Sequence, residues 1–510
     1  MECSLIIECM KWIDRLSNRP VLWRAVLALA ALLLPTAMGN AQTKEPQAAV
    51  PRLPSILFIL ADDLGYGDLG CYGQEKIKTP NIDQLAAEGM RFTSCYAGST
   101  VCAPSRAALM TGKHTGHVGI RGNAALSLQG DDVTVAQLLK TANYSTALIG
   151  KWGLGDVGSP GLPSSKGFDE TVAFLDQTAA HNYYPTALYR HSAEGREQMS
   201  TIYENLNGKK GKYVQDIFTS AALKFLEINA PDQFNHYRPF FLYLAYTTPH
   251  ANDELGQQTG NGMEVPSDAP YSGESWPQVE KNKAAMITRL DADVGRLMEK
   301  LKALKIEKNT IVIFASDNGA HKEGGVHPEF FHSSGPLRGI KRDLYEGGIR
   351  IPLIVRWPFW VKPGTTSDLP CAFWDFLPTA AEIARVKQPK DLDGISFLPT
   401  LQGQAQTNRH EFLYWEFHEG GFKQAARMGD WKGVRFGVDG PLELYDLKTD
   451  LGEKENVAEK HPEVVKKIEE YLKTARTTDD HWPALTVAEN EKLKNKKKKG
   501  AAAAGDGTGK

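Results

Sequence analysis

The sequence predicts an α/β protein: a large mixed, mostly parallel sheet sandwiched by helices, with a smaller C-terminal subdomain of antiparallel sheet plus helix. Two observations carry this. Continuous apolar runs alternate with helical stretches as far as about Ala405, and shorter, more polar strands follow. Uninterrupted apolar runs suit strands covered on both faces. Strands separated by helices imply crossover connections and therefore parallel pairing.

The first element is a targeting signal over residues 1–41. Lys11, Arg15, Arg19 and Arg24 precede an apolar run from Ala25 to Leu34, and Gly39 and Ala41 suit cleavage after Ala41. The run is short for a membrane-spanning helix, so the mature protein is expected to be exported, periplasmic or secreted, without stable membrane insertion. Residues 42–51 read as a linker. The main domain, 52–405, contains buried-strand candidates at Ile56–Leu60, Thr146–Ile149, Phe240–Tyr246, Thr310–Ala315 and Pro352–Val355. Helix candidates between them are Asn81–Gly89, Thr134–Ala142 and Asn282–Ala303. The subdomain, 406–480, holds strands near Phe412–Phe417, Ala425–Met428, Trp431–Phe436 and Leu442–Asp446, then a helix near Pro462–Ala475. Residues 481–510 read as a disordered Lys/Ala/Gly tail, because a run of like charges usually stays solvated.

Composition narrows the function. Hydrophobic residues make up 42% and charged residues 24%, ordinary for a globular protein, and a net charge of −2 gives no reason to expect a nucleic-acid partner. Of six cysteines, Cys3 and Cys9 fall in the signal. Cys71, Cys95, Cys102 and Cys371 are too few for a disulfide framework, and no CxxC pair suggests zinc.

The chemistry gathers at strand ends. In open α/β sheets, ligands bind beyond the carboxyl ends of the strands. Four strand candidates end in polar clusters: Asp62 and Asp63, then Lys151, then Pro249 and His250, then Asp317 and Asn318. Asp62, Asp63, Asp317 and Asn318 offer only oxygen donors, which favours calcium, or magnesium, over zinc. The segment CAPSRAALMTGKHTGH (Cys102–His117) places Cys102 at a helix start, where free amides favour an anion. Arg106, four residues on, shares its face.

The segment CAPSRAALMTG resembles the signature of the type I sulfatases, the arylsulfatase family within the alkaline-phosphatase superfamily. ADDLGYGDLGCYG, GKWGLG, TTPH, SDNG and GIKRDLYEGGIRIPLIVRWP agree with the family in order, and ARMGDWKGVR and LELYDLKTDLGEKENVA resemble its second subdomain. The resemblance implies that a maturation enzyme converts Cys102 to formylglycine, and that Asp62, Asp63, Asp317, Asn318 and the modified Cys102 hold calcium. It implies that Arg106 orients the modified residue, that Lys151 and Lys341 contact sulfate, and that His250 protonates the leaving oxygen. One position departs: Gly153 stands where the family has His, and His181 or His321 are candidates to supply that role. The expected substrate is a sulfated carbohydrate attacked at a chain end, met by His181, His321, Arg121 and Asn123 with Tyr183 and Tyr184 nearby. The competing readings are a formylglycine-dependent phosphodiesterase or phosphonate hydrolase, and a non-catalytic glycan-binding pseudo-sulfatase.

Overall fold

The computed structural model describes residues 52–231 and 236–505. The signal and the linker lie outside these residues. The first strand, Ser55–Ala61, sits near the middle of a ten-stranded sheet. It pairs in parallel with Phe240–Ala245 on one side and Thr310–Ser316 on the other. Ser145–Lys151 and Glu170–Phe174 extend the parallel block. Outside it, Ala187–His191 and Glu197–Thr201 form an antiparallel flank. On the opposite side Leu353–Arg356 runs antiparallel, followed by Met90–Phe92 and Thr365–Ser367. The expected mixed, mostly parallel sheet is present.

The apolar runs are uninterrupted because alternate residues enter two different cores. Ile56, Phe58 and Leu60 face one core, with Ala103, Ala107, Leu109 and Met110. Leu57, Ile59 and Ala61 face the other, with Phe218, Leu226, Ile287 and Leu297. The first layer contains the helices Cys102–Thr111, Val135–Thr141 and Phe376–Ala384; the second contains Pro80–Ala87, Val214–Asn229 and Gln278–Ala303. Thr134 begins its helix with a capping box to Gln137, as its sequence position predicts.

The subdomain is an antiparallel sheet of Leu413–Phe417, Lys423–Met428, Trp431–Phe436 and Glu443–Asp446. Its outer face packs on the helix Pro462–Thr474 through Tyr414, Leu444, Val464, Ile468 and Leu472. Its inner face packs Trp415, Phe417 and Val434 against Tyr96, Ala108 and Trp374.

The expectation of a disordered tail from 481 is corrected. Trp482 is buried and donates from Nε1 to Gly119 O at 2.8 Å. The stretch Val487–Gly505 is helical, and buried Asn490 bonds both backbone groups of Phe422. Lys and Ala are good helix formers. Among the described residues, no helix is long and apolar enough to cross a membrane.

Candidate active site

Four parallel strands deliver their polar ends to one edge. Ser55–Ala61 leads into Asp62 and Asp63, and Thr310–Ser316 into Asp317 and Asn318; all four are fully buried. Asp62 N bonds Thr248 O and Asp317 N bonds Ala61 O, so the strand ends are locked together. Lys151 is the last residue of its strand, and His250 lies in the turn after Phe240–Ala245.

The helix Cys102–Thr111 enters this edge with its N-terminus. Its N-cap residue, Val101, makes no side-chain cap; instead the Ala103 amide donates to Asn123 Oδ1 at 3.0 Å. Asn123 thus supports the helix start beside Cys102. Ser105 donates from Oγ to Asp317 O at 2.5 Å, which ties the helix to the turn after Thr310–Ser316.

Cys102 Sγ lies 3.2 Å from Asp62 Oδ1. Burial, then the Asp62 charge, push its thiol well above the ordinary range. An unmodified thiol would therefore stay protonated and be a poor nucleophile. Arg106 meets Asp317 Oδ2 from Nε at 3.0 Å and Nη2 at 2.8 Å, and donates to Lys151 O at 2.8 Å. Lys151 Nζ holds Asp62 Oδ2 at 2.7 Å, and Lys341 Nζ holds Asp63 Oδ2 at 2.8 Å. Burial works against ionising Asp62, but Lys151 and Arg106 hold its carboxyl well below the usual range. Burial, then Asp62, push Asp317 up to about 7.

One atom in this cluster is left over. Asn318 donates from Nδ2 to Asp63 Oδ1 at 2.7 Å, yet its buried Oδ1 has no hydrogen-bond partner. A buried acceptor without a donor costs free energy unless something outside the protein satisfies it. Together with three carboxylates, this oxygen makes a donor set that fits a hard cation. Asp62, Asp63, Cys102 and His250 also lie close enough to share one ion.

His250 is buried between two other imidazoles. His181 stacks on it at 4.8 Å between centroids, and His321 at 6.1 Å. Its Nδ1 donates to Ala251 O at 2.7 Å, which turns Nε2 towards Lys341 Nζ at 3.2 Å. Burial, then Lys341, push its pKa well below the ordinary value.

The remaining sequence candidates divide. His181 reaches the site edge, with Nδ1 3.3 Å from Glu254. His321 is buried; its Nδ1 accepts from Glu323 N and its Nε2 faces Pro249 O, so it braces the turn that carries His250. Arg121 is engaged within the protein. It is buried, and four of its five guanidinium N–H groups are taken up by Val118 O, Glu416 and Thr477. Tyr183 is buried too, donating to Thr247 O and His250 O. Sequence reasoning missed Glu323, whose Oε2 accepts from Lys341 at 2.7 Å. Burial opposes its ionisation, but Lys341 draws it down to about 2. Its place five residues after Asn318 was the available signal. Cys71, Cys95, Cys102 and Cys371 are all free.

A buried sulfur at a helix start, beside three carboxylates and three cations at the edge of a three-layer sheet, marks a hydrolase of anionic esters. The comparisons narrow that class. The Sulfatase family model matches residues 54–386, and the model described as N-sulphoglucosamine sulphohydrolase, C-terminal, matches 340–478. The chain belongs to the sulfatase family and is a sulfuric ester hydrolase. It is 31% identical to an N-acetylgalactosamine-6-O-sulfatase of Bacteroides thetaiotaomicron, over 86% of this chain and 96% of that one. It is 33% identical to human arylsulfatase A, over 83% and 87%. Among solved structures, Ps i-CgsB in complex with k-i-k-neocarrahexaose superposes with a TM-score of 0.72 at 29% identity, covering 87% of this chain and 98% of that one.

Proposed function

We propose that this enzyme removes sulfate from a sulfated carbohydrate at a chain end, using Cys102 matured to formylglycine and a calcium ion, with magnesium the alternative. The observation that carries the metal reading is the unpartnered Asn318 Oδ1 amid Asp62, Asp63 and Asp317. The carbohydrate reading is supported by relatives named N-acetylgalactosamine-6-O-sulfatase and N-acetylgalactosamine-6-sulfatase and by the structure solved in complex with k-i-k-neocarrahexaose.

Asp62, Asp63, Asp317 and Asn318 would hold the cation, which would supply Lewis-acid polarisation of the sulfate ester. Formylglycine would supply a hydroxyl able to attack sulfur and a second hydroxyl whose deprotonation releases sulfate. The chain's own residues do the rest. Arg106, fixed by Asp317 and Lys151 O, orients the residue at 102. Lys151 and Lys341 are tied to Asp62 and Asp63 here, and a cation on those carboxylates would leave both ammoniums to the sulfate oxygens. His250 Nε2, which accepts from the Lys341 ammonium at 3.2 Å, would relay that proton to the leaving oxygen while its Nδ1–H stays on Ala251 O. His181 and Asn123 line the approach for the sugar. Export, by the N-terminal signal, would bring the enzyme to such substrates.

The test is to co-express the chain with a formylglycine-generating enzyme, confirm loss of the Cys102 thiol by mass spectrometry, and assay galactose, N-acetylgalactosamine, glucosamine and fucose sulfates. Turnover of at least one, abolished by chelation, supports the reading. Turnover of only a steroid sulfate or a phosphate diester would overturn the substrate assignment.

A further inference from the structure

Gly153 follows Lys151 and Trp152 at the catalytic edge, and its backbone is left-handed at φ 73°. The space a side chain would enter there is taken. A Cβ at Gly153 would overlap Gln177 Nε2 and lie 2.7 Å from Gln177 Cδ. Gln177 is brought in by strand pairing that outruns the sheet: Trp152 N bonds Phe174 O, and Gly153 N bonds Leu175 O. Asp176 Oδ1 then accepts from Thr178 N at 2.7 Å and Ala179 N at 2.9 Å, fixing the turn. The same turn ends in His181, stacked on His250. One short segment therefore brings a carboxamide beside Gly153 and an imidazole to the proton donor.

Among the described residues, the Gln177 carboxamide makes one hydrogen bond, a long one of 3.4 Å from Nε2 to Gly153 O. The residue is half-buried, and its oxygen and second N–H have no hydrogen-bond partner among the described residues. A primary amide in that place can donate to a sulfate oxygen and accept from a sugar hydroxyl at once. It does so without carrying a charge that titrates.

We propose that Gln177 is a substrate-contacting residue whose carboxamide does the work for which position 153 has no side chain. This rests on the sulfate-ester reading of the site. The prediction is reciprocal. Gln177→Ala should lower kcat/KM at least tenfold towards both p-nitrophenyl sulfate and the carbohydrate sulfate that the enzyme prefers, with Tm unchanged. Gly153→His alone should also lose activity, because the new ring collides with Gln177. Gly153→His combined with Gln177→Ala should recover activity above Gln177→Ala, since His tolerates a positive φ better than most residues. Activity of Gln177→Ala within threefold of wild type, a loss that tracks a lowered Tm, or a double variant no faster than Gln177→Ala would overturn the proposal. If the matured wild type hydrolyses no sulfate ester, the reading of the site fails instead.

Discussion

Buried charge occurs in two regions of this protein, and they differ in how it is satisfied. At the joint with the subdomain, fully buried Glu416 accepts from Arg121 at 3.0 Å, Arg476 at 2.7 Å, His418 at 3.0 Å and Tyr414 at 2.8 Å. Lys432 likewise bridges Glu346 at 3.0 Å and Glu453 at 2.9 Å. At the catalytic edge three carboxylates meet three cations, yet Asn318 Oδ1 is left without a partner and Asp63 sits at φ 65°. At the joint every buried carboxylate named faces a cation of the protein itself, which holds parts together. An edge with an unpartnered oxygen and a strained backbone awaits something from outside.

Substitutions can break or sharpen this contrast. The largest effect should come from Cys102→Ala, which should reduce turnover to background while leaving Tm nearly unchanged; a differential-scanning trace and an aryl sulfate assay check both halves. Asp317→Ala should also abolish turnover. Wild-type protein should gain about 2.7 kcal/mol of stability at calcium a hundredfold above its Kd, by mass action. The variant should gain none, as a thermal-shift titration would reveal. Glu416→Ala should do the opposite of Cys102→Ala, costing about 3–5 kcal/mol because Arg121 and Arg476 lose their buried partner. Activity per folded molecule should survive it.

Glu416 also sets a pH dependence. Burial opposes its ionisation, but His418, Arg476 and Arg121 hold its pKa at about 2 against the ordinary 4.5. A carboxyl held lower in the folded state contributes stability that is full above about 4.5 and lost as pH falls towards 2. Glu416→Gln should therefore differ most from wild type in urea midpoint at pH 6 and least near pH 2. A weaker, graded effect is expected at His250. His250→Ala should slow alkyl sugar sulfates more than activated aryl sulfates, whose leaving oxygens need less help from a proton; an equal loss on both would assign His250 to structure. The smallest effect should be Asn490→Ala, about 1 kcal/mol for the bonds to Phe422, read as a small drop in Tm.

Much of this edge was legible in the chain. Asp62, Asp63, Lys151, His250, Asp317 and Asn318 follow apolar runs, and strand periodicity alone brings their positions to one side of a parallel sheet. The flanks were harder. Glu197–Thr201 is largely exposed and polar, so it carries no apolar signature, and Met90–Phe92 and Thr365–Ser367 are too short to show a period. Glu323 was missed because it follows a turn rather than a strand, and Gln177 because its strand, Glu170–Phe174, is short and only partly apolar. Their placement depends on how two turns fold back, which long-range contacts decide. The partners of Arg121 and His321, Glu416 and Pro249 O, are distant in sequence and could not be read from the motifs beside them.

The helix that carries Cys102 has a consequence for how the molecule melts. Ala107 belongs to the core under the large sheet, and its neighbour Ala108 belongs to the core between that domain and the small one. Adjacent residues of one rigid rod are thus counted in two hydrophobic interiors. Loss of either interior removes lateral support from the same ten residues, so unfolding of the small domain is expected to displace Cys102. Calorimetry should record one transition with a van't Hoff enthalpy near the calorimetric one, and heat inactivation should coincide with it rather than precede it.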